Sequence, residues 1–348
     1  MYTLGFFGGQ RVVQNEPGMF IGPIATVFGL IIDVIFDIVY NLNPINSLGI
    51  SIILLTLVVR TLMLPLGIKQ QKSMMAMQVL TPEVNKIRKK YSGKKDQQSQ
   101  QKMNAEIQKL YADHKVNPLG GCLPLFIQMP LFFGLSFIMH QSHLYVTKLG
   151  NLFAQIPTYL RATLGDNEYI YMMNSLLVPN GIPIDILPQR MIDEGTINLL
   201  HTPDVSRVLN AFGPEEWSRL FATVPSAYLQ DVYSQITDIR TFFNMELTES
   251  AGIGWPGILI PILAVATALL TSWVTLKASV VTDEAQKRQQ KMMMVVMPVM
   301  MGAMTIGLPL GVGVFWITSS VYQVFQQLFM NKIMGIGKNT VQTTEYCQ

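Results

Sequence analysis

Five stretches of this chain are long and apolar enough to cross a lipid bilayer, and nothing else in the sequence limits the fold so strongly. A helix needs about 20 mostly apolar residues to cross about 30 Å of hydrocarbon. Residues 49–68, 119–143, 255–276, 292–308 and 311–330 meet that requirement, the first broken only by Arg60. The Leu308-Pro309-Leu310-Gly311 sequence leaves room only for a tight turn between the last two. Charged residues make up 14% of the 348 positions, against about 25% in ordinary soluble domains. That deficit argues against a surface made for water. The expected fold is therefore an all-α integral membrane protein built on a five-transmembrane-helix bundle.

Net charge is a modest +3, but it is sharply segregated. Residues 69–115 carry eleven Lys or Arg against four acids, whereas residues 144–252 carry six against twelve. Short cytoplasmic loops are enriched in Lys and Arg. The basic segment 69–115 and the 277–291 loop, with Lys287 and Arg288, are thus expected inside, and the acidic 144–252 segment outside. Five alternating crossings satisfy both demands and leave the 331–348 tail in the cytoplasm. The 1–18 segment shows no cleaved-leader pattern.

Residues 19–42 are apolar enough for a crossing but contain Asp33 and Asp37, one helical turn apart. Each Asp at a helix centre costs about 2.5–3.5 kcal/mol on insertion scales. An amphipathic helix lying on the outer interface keeps both carboxylates wet and is the favoured reading, with a true span as the competitor. In 69–115 a narrow apolar seam (Met74, Met77, Val84, Ile87, Tyr91, then Met103, Ile107, Leu110) predicts a cytoplasmic helical hairpin turning at residues 92–96. Pro82 is expected to kink or restart its first helix. The 144–252 segment is punctuated by prolines, including Pro157, Pro183 and Pro214. It reads as a small helical outer insert, with a helix start at Gly213-Pro214-Glu215-Glu216 and its longest helix over 226–243.

Arg60 is the outstanding side chain. It stands about 12 Å from the cytoplasmic end of its span, too deep to snorkel unaided. No acid lies within any of the five spans to neutralise it. Intramembrane charges rarely face lipid, so Arg60 is either a structural cap for carbonyls or a positive site kept for a partner's negative charge. Thr56 one turn earlier, Gln128, Thr271 and Ser272 on the third span, and the face from Trp316 through Thr318, Ser319 and Ser320 to Gln323 are other polar or amphipathic features at membrane depth. Singly, each reads as interhelical glue; together, Thr56, Arg60, Gln128, Trp316 and Gln323 would line one hydrated concavity. Seven methionines between Met292 and Met304 suit either lipid-facing packing or a surface that accepts varied apolar partners.

Bond chemistry finds little support. There is no HExxH pair, GxSxG elbow or glycine-rich phosphate loop. Cys122 and Cys347 do not form a zinc or disulfide pattern, and His140 and His143 read as interfacial polar residues. No cofactor, metal, specific nucleic acid or small-molecule substrate is expected.

The run from Gly49 through Arg60 to Pro65-Leu66 resembles the first core span of the YidC family of membrane protein insertases. Lys69-Gln70-Gln71-Lys72 and Leu80-Thr81-Pro82-Glu83 resemble the start of its cytoplasmic hairpin. Asn117-Pro118-Leu119-Gly120-Gly121-Cys122-Leu123-Pro124 with Ile127-Gln128-Met129-Pro130 is similar to its second core span, and Lys291 to Pro298, Gly311 to Trp316 and Gln326-Gln327 to its last two. The resemblance implies a hydrated groove open to the cytoplasm and lipid, with Arg60 as its charge, Thr56 and Trp316 along the client's path, and Gln128 in its lining. It implies client membrane proteins and membrane lipids as partners, with the Sec translocon and the ribosome as further candidates. The tail holds only Lys332 and Lys338, which argues against ribosome docking through the C-terminus. A large outer β-domain is not recognisable, a pattern that suits the plasma membrane of a bacterium with a single membrane. The expected function is an insertase and chaperone for transmembrane helices. A transporter or channel binding an anion at Arg60 is the alternative, and a purely structural scaffold a third reading.

Overall fold

The computed structural model describes residues 21–93, 96–114, 116, 123–177, 200–277 and 284–333. Fourteen α-helices and one short hairpin appear among the described residues, and the chain is all-α in character. The helices are α1 Ile21–Leu42, α2 Ser47–Leu62, α3 Leu64–Tyr91, α4 Gln97–Asp113, α5 Leu123–His140, α6 Ser142–Tyr145, α7 Thr147–Leu164 and α8 Asp166–Leu177. They continue as α9 Thr202–Asn210, α10 Pro214–Thr223, α11 Ala227–Arg240, α12 Leu259–Lys277, α13 Glu284–Thr305 and α14 Leu310–Ile333. The hairpin pairs β1 Thr241–Phe242 with β2 Met245–Glu246.

By length and composition, two described helices suffice to cross a membrane, within Gly22–Leu42 and Leu259–Leu276. A third crossing results if Ser47–Leu62 and Leu64–Ser73, bent by 55°, form one span. The bend has a local cause. Pro65, in the first turn of α3, offers no N–H to the preceding turn, and only Met63 N→Val59 O and Gly67 N→Met63 O, each 3.0 Å, carry the backbone across.

Two compact units divide the chain. One comprises Met1–Thr56, Pro130–Ile262 and Ala303–Trp316; the other comprises Leu57–Met129, Leu263–Gly302 and Ile317–Gln348. In the first, α1 buries Ala25, Phe28, Ile32, Phe36 and Val39 on one face and exposes Leu30, Val34 and Ile38 on the other. Gly29 of α1 lies under the Tyr145 ring, where a Cβ would overlap it. Asp33 is not simply wet. Its two carboxylate oxygens accept from Thr147 N at 2.8 Å and Thr147 Oγ1 at 2.7 Å, capping the start of α7 from another helix. Asp37 is exposed.

Helices α6, α8, α9 and α11 pack against α7, whose Leu152, Phe153, Ile156 and Leu160 are buried. Among the described residues of 144–252, the 18-residue α7, not the 14-residue α11, is the longest helix. Pro157 lies inside it and is buried. The core side chains around Pro157 outweigh the local cost of a helical proline, about 3 kcal/mol. Helix α10 starts at Pro214, where Glu216 Oε2 accepts from Gly213 N at 2.8 Å. Trp217, Phe212 and Tyr233 form an aromatic cluster.

Past β2 the backbone of residues 247–252 pairs with the loop between α13 and α14. Gly252 N bonds to Ile306 O at 2.9 Å and Ala251 N to Leu308 O at 3.2 Å, while Leu310 N and Gly311 N bond back to Glu249 O and Leu247 O at 2.8 Å each. The tight turn expected near 308–311 is therefore one side of a two-segment clasp.

In the second unit, α3 and α4 form an antiparallel pair with Leu80 and Val84 buried between them. The Asp96 carboxylate caps α4, accepting from Ser99 N at 2.8 Å. Helix α3 runs unbroken through Pro82, so that proline does not restart it. Thr81 Oγ1 donates to Met77 O at 3.2 Å in the same turn, and burial of Leu80 and Val84 on either side holds the helix together. Helix α13 begins at Glu284, so Lys287, Arg288 and Lys291 belong to a helix rather than to the expected 277–291 loop. No helix breaker separates them from the apolar residues that follow.

Candidate functional site

Arg60 lies in the last turn of α2, just before the proline-enforced bend. Its Nη2 donates to Gln128 Oε1 at 2.9 Å. With the Gln323 amide turned so that its oxygen faces the guanidinium, Gln323 accepts from Nη1 and Nη2 at 3.0 Å each. All three residues belong to one unit, and they come from α2, α5 and α14. The guanidinium is half-buried. Among the described residues no carboxylate stands at ion-pair distance from it. A positive charge is therefore held by neutral oxygens, which fix its direction without cancelling it.

The site extends along α14. Tyr322 OH and Thr61 Oγ1 are 3.3 Å apart. One turn past Gln323, the buried Gln327 accepts from Gln71 Nε2 at 2.6 Å and donates to Asn331 Oδ1 at 2.8 Å. Thr271 Oγ1 of α12 donates to Ser320 O at 3.1 Å. Ser320, Gln323, Gln327 and Asn331 thus recur at spacings of three and four, a polar stripe along α14. Sequence reasoning stopped this face at Gln323; extending the same period would have found Gln327 and Asn331.

Thr56 and Trp316 belong to the other unit. Thr56 is fully buried, and its hydroxyl donates to Ile52 O at 2.6 Å. Trp316 packs its ring against Phe132 with centroids 5.2 Å apart. The structure thus brings Arg60, Gln128 and Gln323 together, and gives Thr56 and Trp316 local partners of their own. His140 Nδ1 lies 2.7 Å from Ser136 O, and His143 is buried beside Phe153. Among the described residues no group of three or more His, Cys, Asp or Glu side chains is placed to hold a metal ion.

The family profile described as "60Kd inner membrane protein" matches residues 39–188 and 217–338. The chain is 40% identical over 130 residues to the membrane protein insertase YidC of Alkalihalophilus pseudofirmus, covering 37% of this chain and 48% of the relative. It is 52% identical over 89 residues to the membrane protein insertase MisCA of Bacillus subtilis, covering 26% and 34%. These matches span half or less of the relatives' length. A longer match, 26% identical over 290 residues, joins 83% of this chain to 77% of the YidC of Oceanobacillus iheyensis.

Proposed function

This chain belongs to the 60Kd inner membrane protein family, that of the YidC insertases, and on that premise we propose that it inserts and folds the transmembrane helices of other proteins. The observation that carries the reading is a guanidinium held by the amide oxygens of Gln128 and Gln323 and matched by no carboxylate among the described residues. Arg60 would sit in a hydrated groove within a five-span bundle formed by residues 49–68, 119–143, 255–276, 292–308 and 311–330. The 69–115 hairpin and the C-terminal tail face the cytoplasm of a bacterium, residues 144–252 lie outside, and residues 19–42 rest on the outer interface. Thr56 and Trp316 flank the path of the client helix. The Sec translocon, the ribosome and membrane lipids are the partners this placement suggests.

The physical work is partition rather than bond chemistry. An acidic outer segment of the client is drawn to Arg60, and water in the groove shortens the hydrocarbon that its polar groups must cross. Burial of the client's apolar helix in lipid supplies the driving force. An inside-negative potential adds about 2.3 kcal/mol per 100 mV for each acidic charge that moves outward.

The test is reconstitution in liposomes with a single-spanning client that carries a short acidic outer segment. Wild type and Arg60→Lys are expected to insert it, and Arg60→Ala to fail. Equal insertion by all three removes the electrostatic account. Anion flux without insertion would instead assign Arg60 to a transporter or channel.

A further inference from the structure

The clasp that joins residues 247–252 to 306–311 carries large apolar side chains at its two ends that remain mostly exposed among the described residues, Phe243 touching only the edge of the Phe242 ring. Phe243, at the tip of the β1–β2 hairpin, is 76% exposed; Ile253 is 83% and Trp255 78% exposed. Between them the chain is firmly held: Leu247 and Ala251 are buried, and Leu247 N bonds to Arg240 O at 2.9 Å. The exposed residues are therefore fixed in direction by their neighbours, and do not belong to a loose loop. We propose that Phe243, Ile253 and Trp255 form a lipid anchor that seats the clasp in the headgroup–acyl boundary of the outer leaflet.

Three observations favour lipid over a protein partner. Trp255 stands four residues before Leu259, where the apolar helix α12 begins, one of the two long enough to cross a membrane by itself. A tryptophan at that distance from a span end lies at headgroup depth, where its amphipathic ring is favoured. The exposed apolar face of α1 runs through Leu42 to Ile45, and the next residue, Asn46, accepts from Phe243 N through Oδ1 at 3.3 Å. The hairpin tip is thus tied to the segment that follows the exposed apolar face of α1. The charge pattern agrees. Residues 241–257 contain no Lys or Arg, and of their two acids Glu246 is held by the buried Arg240 at 2.5 Å while Glu249 is half-buried, so neither carboxylate belongs to the exposed apolar set.

The anchor braces the clasp. Asn46 N bonds to Asp238 O at 3.1 Å, so the start of α2, the 306–311 turn and the hairpin are tied to one backbone network that the membrane surface holds in place.

This inference rests on the membrane placement proposed above, and its test separates the two. In full-length protein with Cys122→Ser and Cys347→Ser, single cysteines are introduced as Phe243→Cys, Ile253→Cys, Gln230→Cys or Leu270→Cys. Each is labelled with an environment-sensitive fluorophore in phosphatidylglycerol–phosphatidylcholine vesicles. Gln230 is an exposed control on α11, and Leu270 an exposed position on α12. The labels at 243 and 253 are expected to shift to the blue and to be quenched by lipid spin-labelled near the headgroup. The label at 270 should be quenched by lipid spin-labelled deep in the chain, and the label at 230 by neither. Quenching at 270 with none at 243 and 253 overturns the anchor and leaves the membrane placement standing. Loss of quenching at 270 as well overturns both. Labels at 243 and 253 that are shielded from a water-soluble quencher yet untouched by lipid quenchers would mean a protein partner, and overturn the anchor too.

Discussion

Replacing Gln323 by Leu should cost this protein about 1.5–3 kcal/mol if water reaches Arg60, and about 3–5 kcal/mol if it does not. The structure sets up the comparison. Gln323 accepts two of the three hydrogen bonds that hold the guanidinium, at 3.0 Å each, and Gln128 accepts the third at 2.9 Å. In Gln323→Leu two charged donors lose their acceptor. If the site is hydrated, water takes the place of the amide oxygen, and the loss is the net worth of exchangeable hydrogen bonds to a charged group, about 1.5–3 kcal/mol. If the site is dry and packed, a buried charge is left without its partner, which costs about 3–5 kcal/mol. The assay is thermal or chemical unfolding in nanodiscs, run as a double-mutant cycle with Arg60→Met. In the Arg60→Met background the Gln323→Leu change should be nearly neutral, because no charge remains to be solvated. A loss of 3–5 kcal/mol in wild type that disappears with Arg60→Met would refute the wet groove. An equal loss in both backgrounds would refute the role of Gln323 in holding Arg60 at all.

Asp33→Ala removes both bonds to the first residue of α7 and should destabilise the first unit by about 1–2 kcal/mol, seen as faster proteolysis within 144–252; unchanged cleavage would mean the cap contributes nothing. Gly49→Ala places a Cβ inside the Phe242 ring and should lower Tm by displacing the β1–β2 hairpin, an overpacking cost of about 1–3 kcal/mol, while Gly93→Ala, where a Cβ meets open space, serves as control. Burial pushes the Tyr169 hydroxyl from 10.0 up to about 12. Because the folded value is the higher one, the folded state resists ionisation of this group, so it leaves stability unchanged below pH 10 and lowers it as pH rises towards 12. The hydroxyl is buried without a hydrogen-bond partner among the described residues, so Tyr169→Phe should be neutral or stabilising and should flatten the alkaline limb of the stability profile; a clear loss of stability at pH 7 would show that the hydroxyl is satisfied.

Apolar length and charge segregation are local properties, and they are written openly in the sequence: α2, α12 and α14 lie under apolar runs, and α3 ends at Tyr91 and α4 starts at Gln97, on either side of the turn expected there. Proline was ambiguous because its effect depends on what the rest of the molecule does. Pro65 accompanies a 55° bend, whereas Pro82 and Pro157 lie inside continuous helices. Pro65 stands in the first turn of α3, whereas Pro82 and Pro157 stand mid-helix beside buried residues, Leu80 and Val84 for the first and Ile156 and Leu160 for the second. The clasp between 247–252 and 306–311 joins segments more than fifty residues apart through backbone atoms alone. It leaves no periodic signature in the side chains. At the candidate site, Arg60 stood out because a charge in an apolar run must be explained, and Gln323 because it shares a face with Ser320. The trans-helix cap by Asp33 was hidden, since an acid on an apolar helix reads as a membrane argument before it reads as a capping residue.

The choice of amides around Arg60 leads to the most specific expectation. A carboxylate in place of Gln323 would occupy nearly the same volume and accept the same two N–H groups, so fold stability gives no reason to prefer glutamine. The difference is electrical. Two opposite unit charges about 4 Å apart interact by about 4 kcal/mol at an effective dielectric near 20, and the resulting pair presents no net charge to anything that approaches. Amide oxygens hold the guanidinium in one orientation and leave its full charge available. Gln323→Glu should therefore keep or raise Tm while reducing insertion of a client with an acidic outer segment to the level of Arg60→Ala. A client without acids should be inserted as before. Liposome insertion of the two clients, with unfolding measured on the same preparations, decides the matter. If Gln323→Glu folds and still inserts the acidic client at the wild-type rate, the unpaired charge is not what draws that client in, and Arg60 serves the bundle as a structural donor to its neighbouring helices.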